Sequence, residues 1–190
     1  MQDISIKAIP QHFNLTARIL HWGMAVAIMA MLFIGVGMMT SLSLRPWLIA
    51  VHQPLGIAML GLALVRLVNR LQRPMPALPA SVPRWQAKAA HLSHVALYFL
   101  MLGLPLLGWA MRSAGNWPVT LGGEWSLPPI VPENPVLYAW LRFAHGALAW
   151  LLFAIILGHL GAALLHAWVL RDGVFSSMAR GSSSAEKGEV

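Results

Sequence analysis

The chain reads as an all-α protein, an integral membrane four-helix bundle. Three observations predict this. Of its 190 residues, 58% are hydrophobic and only 10% are charged, more apolar than a soluble core of this size requires. Mean hydropathy is +0.66. Four uncharged stretches recur, over 19–44, 46–65, 89–111 and 143–170, each long enough to reach the ~20 apolar residues that cross a bilayer as a helix.

Taken in order, the chain opens on a polar lead from Met1 to Arg18 that contains Lys7. It is not a cleavable signal peptide, because the apolar run that follows starts late and is too long. The first helix is expected over about 19–44, and Arg45-Pro46 makes a short turn. The second is expected over about 46–65. Arg66 to Lys88 then holds five basic residues and Pro74, Pro76, Pro79 and Pro83, and repeated proline reads as extended loop. The third helix is expected over about 89–111, with a kink at Pro105 between Gly103 and Gly108. Arg112 to Tyr138 is a second loop rich in Pro, Gly and Trp, and the fourth helix is expected over about 139–170. Residues 1–176 form one transmembrane domain, and 177–190 a polar, disordered tail.

The net charge of +7 would suggest nucleic acid in a soluble protein. Here the basic residues alternate with apolar runs, and orientation in a membrane explains them better. The lead, the 66–88 loop and the tail hold ten, while the opposite loops hold only Arg45, Arg112 and Arg142. Both termini are therefore expected to be cytoplasmic. Trp47, Trp109, Trp117, Trp125 and Trp140 fall at the outer surface as an aromatic belt.

The fourth helix carries His145 and His159, 14 residues apart. At ~100° and ~1.5 Å per residue they lie within ~40° of one face and ~21 Å apart along the axis. An imidazole in hydrocarbon is costly without a partner and marks a functional site. A b-type haem suits the spacing, since iron takes imidazole axially. Given the topology, His52 shares the outer depth with His145, and His21 the inner depth with His159. Two haems with bis-histidine ligation follow. His91, His94 and His166 cluster at the inner surface, where they could be alternative ligands, interfacial residues, or the walls of a quinone pocket that delivers protons.

Other chemistries are excluded. The chain has no cysteine, so disulfides, Cys-ligated iron–sulfur clusters and c-type haem attachment are ruled out. No Asp or Glu lies in a span, which argues against a carboxylate proton relay. There is no phosphate-binding loop and no soluble domain for a nicotinamide or flavin.

The segments RILHW, RPWLIAVHQPLGIAMLGLALVRLVNR, AHLSHVALYFLMLGLPLLGW and HGALAWLLFAIILGHLGAALLHAWVLRDG resemble the prokaryotic cytochrome b561 family over roughly residues 13–176. That resemblance implies a four-helix di-haem cytochrome linked to quinone. Its histidine ligands map onto His21 and His159 for the inner haem, and His52 and His145 for the outer. Similar members oxidise superoxide at the periplasmic side and reduce ubiquinone. Others are membrane-anchor subunits that take electrons from a partner hydrogenase or dehydrogenase. The short outer loops look more like the stand-alone kind, a monomer or homodimer among membrane lipid. Some relatives have a basic residue near the quinone in the second-to-third helix loop, where position 81 here is a serine.

Two further groups carry expectations. Arg45, Arg112 and Arg142 at the outer surface could steer an anion such as superoxide, or could be neutralised by haem propionates or by Glu124 and Glu133. Ser81 and Trp85, with Arg84, could bind a quinone head group beside His91, His94 and His166, or could anchor the third helix at the interface.

Overall fold

The computed structural model describes residues 12–180. Lys7, Lys187 and the expected tail from 181 onward lie outside the described residues. Four long helices dominate, all apolar and long enough to cross a membrane.

Helix α1 spans Leu15–Thr40. Asn14 caps it, accepting from the Ala17 amide at 2.8 Å, which satisfies one of the orphan donors of the first turn. The helix stops before the uncharged run does. Ser41 is extended, and its hydroxyl accepts from the Leu44 amide at 3.3 Å, so residues 41–44 form the turn rather than the end of a span. Helix α2 spans Arg45–Gln72, with Pro46 in its first turn, where a missing N–H breaks no helical bond.

The expected loop over 66–88 is mostly helix. Helix α2 continues past Arg66 and Arg70 to Gln72, and α3 spans Arg84–Ala114, which leaves only 73–83 between them. Basic side chains near a bilayer surface do not end a helix, because their stems lie along apolar surface while their heads reach polar ground. What ends α2 is Pro74, which forces Arg73 into the extended region at φ −119° and ψ 138°. Helix α3 starts just after Pro83 and runs on through Pro105.

The expected loop over 112–138 also contains structure. Strands β1 (Val119–Gly122) and β2 (Trp125–Leu127) form a small antiparallel hairpin, so the fold is helical with one β-hairpin rather than purely α. Gly122 at φ 126° and Gly123 at φ 56° make its turn, a conformation that glycine adopts without strain. The Gln53 side-chain oxygen accepts from both the amide (2.9 Å) and the hydroxyl (3.2 Å) of Thr120, fastening the hairpin to α2.

Helix α4 spans Pro135–Leu164. Asn134 caps it by accepting from the amides of Val136 and Leu137. A π-helical turn, Leu165–Leu170, extends it, and a short helix α5, Val174–Ala179, follows. Residues 177–179 of the expected tail are ordered: Ser177 lies within α5, and its carbonyl accepts from the Phe13 amide at 3.1 Å. Arg18 donates to the Ala179 carbonyl at 3.3 Å. Both described chain ends thus meet at one end of the bundle, the terminal end. The hairpin occupies the other.

Helix α1 packs along α2, α3 along α4, and α2 along α3. Among the described residues α4 makes no comparable backbone packing with α1 or α2. The bundle is therefore two helix pairs joined at α2 and α3, with a seam along α4. Outward faces are apolar: Val26, Phe33 and Phe143 are each about 70% exposed. A soluble surface avoids such continuous patches, whereas a lipid-facing surface requires them.

The cysteine-free chain allows a direct check of this arrangement. Ser81→Cys and Ser177→Cys are expected to react with a membrane-impermeant maleimide from one side of sealed vesicles, and Ser126→Cys from the other. Labelling of all three from one side would contradict the fold.

Candidate functional site

Each helix carries its site residues at seven-residue intervals. Helix α4 places His145, Leu152 and His159, with His166 next in the π turn that extends it; α2 places His52, Met59 and Arg66; α3 places His94, Met101 and Gly108; α1 places His21 and Ile28. Seven residues turn a helix by about 700°, within ~20° of the same face. Four such stripes facing inward create layers across the membrane.

The layer toward the hairpin end holds His52 and His145, with ring centroids 6.3 Å apart and planes at 68°. The layer toward the terminal end holds His21 and His159, 6.2 Å apart at 70°. Both pairs bridge the seam along α4. Two imidazoles on opposite sides of one metal ion, with bonds of about 2 Å and each ring centre about 1.1 Å behind its nitrogen, have centroids about 6.2 Å apart. Both pairs match that spacing. Among the described residues no third His, Cys, Asp or Glu joins either pair to complete a metal site.

Further details fit a bulky planar group in the seam. Nδ1 of His52 is buried without a partner, an arrangement that costs free energy unless something else uses the ring. Gly108 makes room for His145: a Cβ there would stand 3.2 Å from Cε1 and 3.5 Å from Nδ1. Between the two layers the seam is closed by apolar side chains. Leu100, Leu104 and Leu152 form one cluster and Met24, Met59 and Ala63 another, and Ile28 packs against both.

A cavity of about 1490 Å³ opens at the terminal end, larger than the ~300–1,000 Å³ that suits one small ligand. His21, His94, His159, His166 and Trp85 line it, with Arg66, Arg70 and Arg73. His91 and Ser81 do not line it and are exposed. The quinone-site expectation therefore divides: three of its five residues meet at the cavity and two do not. His94 also lies against His159, with ring centroids 5.3 Å apart, shorter than the 6.2 Å between His21 and His159.

Two partners of these histidines were not visible in the sequence. Arg66 donates to His21 Nδ1 at 3.0 Å and to the Tyr98 hydroxyl at 3.2 Å, and its NH1 is buried with no partner. The seven-residue step from His52 would have pointed to Arg66. Asp172 lies 2.6 Å from His166 Nδ1, a contact that helical periodicity does not suggest.

The three outer arginines differ in setting. Arg112 donates to the Pro118 carbonyl at 3.2 Å and stacks over Trp117 at 5.3 Å, while its Nε is buried and unpartnered. Arg45 is half-buried and Arg142 exposed. Among the described residues none of them pairs with Glu124 or Glu133.

Comparison with known proteins places this arrangement. The profile of the family described as prokaryotic cytochrome b561 matches residues 12–181. Cytochrome b561 homolog 1 of Escherichia coli (strain K12) is 30% identical over 178 residues, covering 87% of this chain and 96% of that one. Cytochrome b561 homolog 2 of the same strain is 24% identical over 185 residues, with 95% and 98% covered. A protein of Yersinia pestis named "Probable superoxide oxidase CybB" is 31% identical over 137 residues, with 72% and 77% covered.

The fit at Gly108 can be tested. Gly108→Val is expected to push the His145 ring aside and to lower bound haem per chain toward half, measured by pyridine haemochrome. Gly103→Val, where a Cβ meets nothing within 4 Å, is expected to retain the full complement. Equal retention by both variants would contradict the packing role of Gly108.

Proposed function

The chain belongs to the prokaryotic cytochrome b561 family, and from that premise we propose that it holds two b-type haems in series and moves single electrons across the membrane to quinone. The observation that carries this reading is the pair of imidazole couples at matching separations, 6.2 and 6.3 Å, at two depths of one seam. His52 and His145 hold the outer haem; His21 and His159 hold the inner one. When bound, haem supplies a one-electron iron couple, while the protein supplies position, potential and exclusion of water.

The chain's own residues do the rest. The apolar plug of Ile28, Leu100, Leu104 and Leu152 keeps water out of the path between the layers. Ligation of His21 through Nε2 puts the ring proton on Nδ1. A guanidinium can only donate, so Arg66 must give up its bond to that atom when the ligand is in place. Its free NH1 then suits a carboxylate in the cavity, such as a haem propionate. The excess of basic residues at the terminal end supports a cytoplasmic location for that face and a periplasmic one for the hairpin.

The donor we assign is superoxide, on two supports: one relative is named a probable superoxide oxidase, and the hairpin end carries Arg45, Arg112 and Arg142 against two acids, Glu124 and Glu133. Positive charge raises the encounter rate of an anion in a salt-dependent way. The acceptor is ubiquinone, which the cavity beside His94, His159, His166 and Trp85 has the volume and mixed polarity to receive.

Two measurements test this. His52→Ala and His145→Ala are each expected to lose the same haem in reduced-minus-oxidised spectra. His21→Ala and His159→Ala are each expected to lose the other, and His94→Ala neither. Loss of haem from His94→Ala but not from His21→Ala would reassign the inner pair. Separately, superoxide mixed with oxidised protein in stopped flow is expected to reduce haem faster than a detergent blank, and more slowly as salt rises. A rate that ignores salt would favour a partner dehydrogenase as donor.

A further inference from the structure

The fourth helix does not end as an ordinary helix. Leu165–Leu170 is a π-helical turn, closed by the Arg171 amide donating to the His166 carbonyl at 2.9 Å. Arg171 then takes the left-handed region at φ 49°, and Gly173 follows at φ 86°. A non-glycine residue at positive φ is uncommon, and π turns concentrate at functional sites. The effect of this path is specific. On a regular α-helix, residues 166 and 172 would lie about 120° apart around the axis. The π turn and the left-handed step fold the chain back, so that the Asp172 carboxylate meets His166 Nδ1 at 2.6 Å. The other carboxylate oxygen accepts from the Val174 amide at 3.2 Å, so both sides of the acid are held.

His166 and Asp172 both line the terminal-end cavity, and Asp172 is the only carboxylate among the described residues that does. Arg66, Arg70 and Arg73 line the same cavity, yet the acid is directed at the imidazole and not at a guanidinium. Both side chains are about nine-tenths buried, at 12% and 10% exposure. With Nδ1 occupied, Nε2 is the ring nitrogen available to a ligand in the cavity.

We infer that His166 and Asp172 form a proton-delivery dyad for the quinone, in which Asp172 is a positioning residue acting through His166. This rests on the quinone reading above. Reduction of a quinone to a quinol takes two electrons and two protons. Two donor molecules, each oxidised by one electron, supply the electrons. For each proton, doubly protonated His166 holds Nδ1–H toward Asp172 and gives its Nε2 proton to a quinone carbonyl oxygen. The N–H bond breaks, an O–H bond forms, and the ring is left neutral with its Nδ1 proton still on Asp172. Water at the mouth of the cavity then returns a proton to Nε2. The carboxylate sets the tautomer and stabilises the charged ring, as the acid of a hydrolase triad does for its histidine.

The test uses purified di-haem protein, reduced and then mixed with ubiquinone-1 or with ferricyanide, which takes one electron and no proton. Asp172→Asn is expected to lower the maximal rate with ubiquinone-1 roughly tenfold or more, toward the range that positioned proton transfer contributes, with half-saturation little changed. Oxidation by ferricyanide is expected to match wild type. His166→Ala is expected to behave like Asp172→Asn. A slow His166→Ala with a wild-type Asp172→Asn would overturn the dyad and leave the quinone site standing. Wild-type quinone rates in both would overturn the dyad because the quinone itself is not bound there. Equal slowing toward ferricyanide would overturn the proposal in favour of a structural role. Should Asp172→Asn fail to retain haem, His166→Gln is read in the same assay, where a wild-type quinone rate would likewise overturn it.

Discussion

An imidazole placed in hydrocarbon must find a partner, and the rest of this molecule follows from that constraint. A polar ring without one would be expensive at membrane depth. Helix α4 carries two such rings on one face, and a partner for each comes from a different helix, His52 on α2 and His21 on α1. The seam along α4 exists because those rings stand about 6 Å from their partners and hold the backbones apart. Helices α1 and α2 pack closely on each other, as do α3 and α4, so the bundle keeps its cohesion while the seam stays wide. Leu152, midway between His145 and His159, contributes to the apolar plug between the two histidine layers.

The two ends of the bundle are built differently, and the difference suits different chemistry. At the hairpin end, Gln53 beside His52 grips Thr120, and Trp109 donates to the Pro128 carbonyl, so the loop is bound to the helix ends. At the terminal end, α5, the 73–83 segment and the start of α1 surround a broad cavity, and Trp22 stacks against Phe175. A small anion needs only a charged approach to a covered haem, whereas a quinone with a lipid tail needs volume, a route from the bilayer and a supply of protons.

Much of this was legible in the sequence because hydrophobic length and histidine spacing are direct readings of bilayer thickness and helix pitch. Matching depths was enough to bring His21 to His159 and His52 to His145. The helix ends were less legible, because charge does not mark a helix boundary: Arg66 and Arg70 belong to α2, and prolines and caps such as Asn14 and Asn134 set the real limits. The hairpin was hidden among prolines and glycines whose pairing depends on Gln53, far away in the chain. The contact between His166 and Asp172 was invisible because it depends on a π turn and a left-handed arginine, neither of which follows from helical periodicity. Depth alone places Ser81 and His91 with His94 at the inner surface, whereas lining the cavity also depends on helical rotation, and His91 does not line the cavity that His94 does.

In the proposed function, each of the two imidazole pairs holds one haem. Low-temperature electron paramagnetic resonance of the oxidised protein tests it most directly, because ligand number and ring orientation both shape the ferric spectrum. With planes twisted by 68° and 70°, the account predicts two low-spin ferric centres per chain, both of the strongly anisotropic kind that near-perpendicular imidazoles produce. A high-spin signal from a five-coordinate iron, or a single low-spin centre per chain, would contradict it.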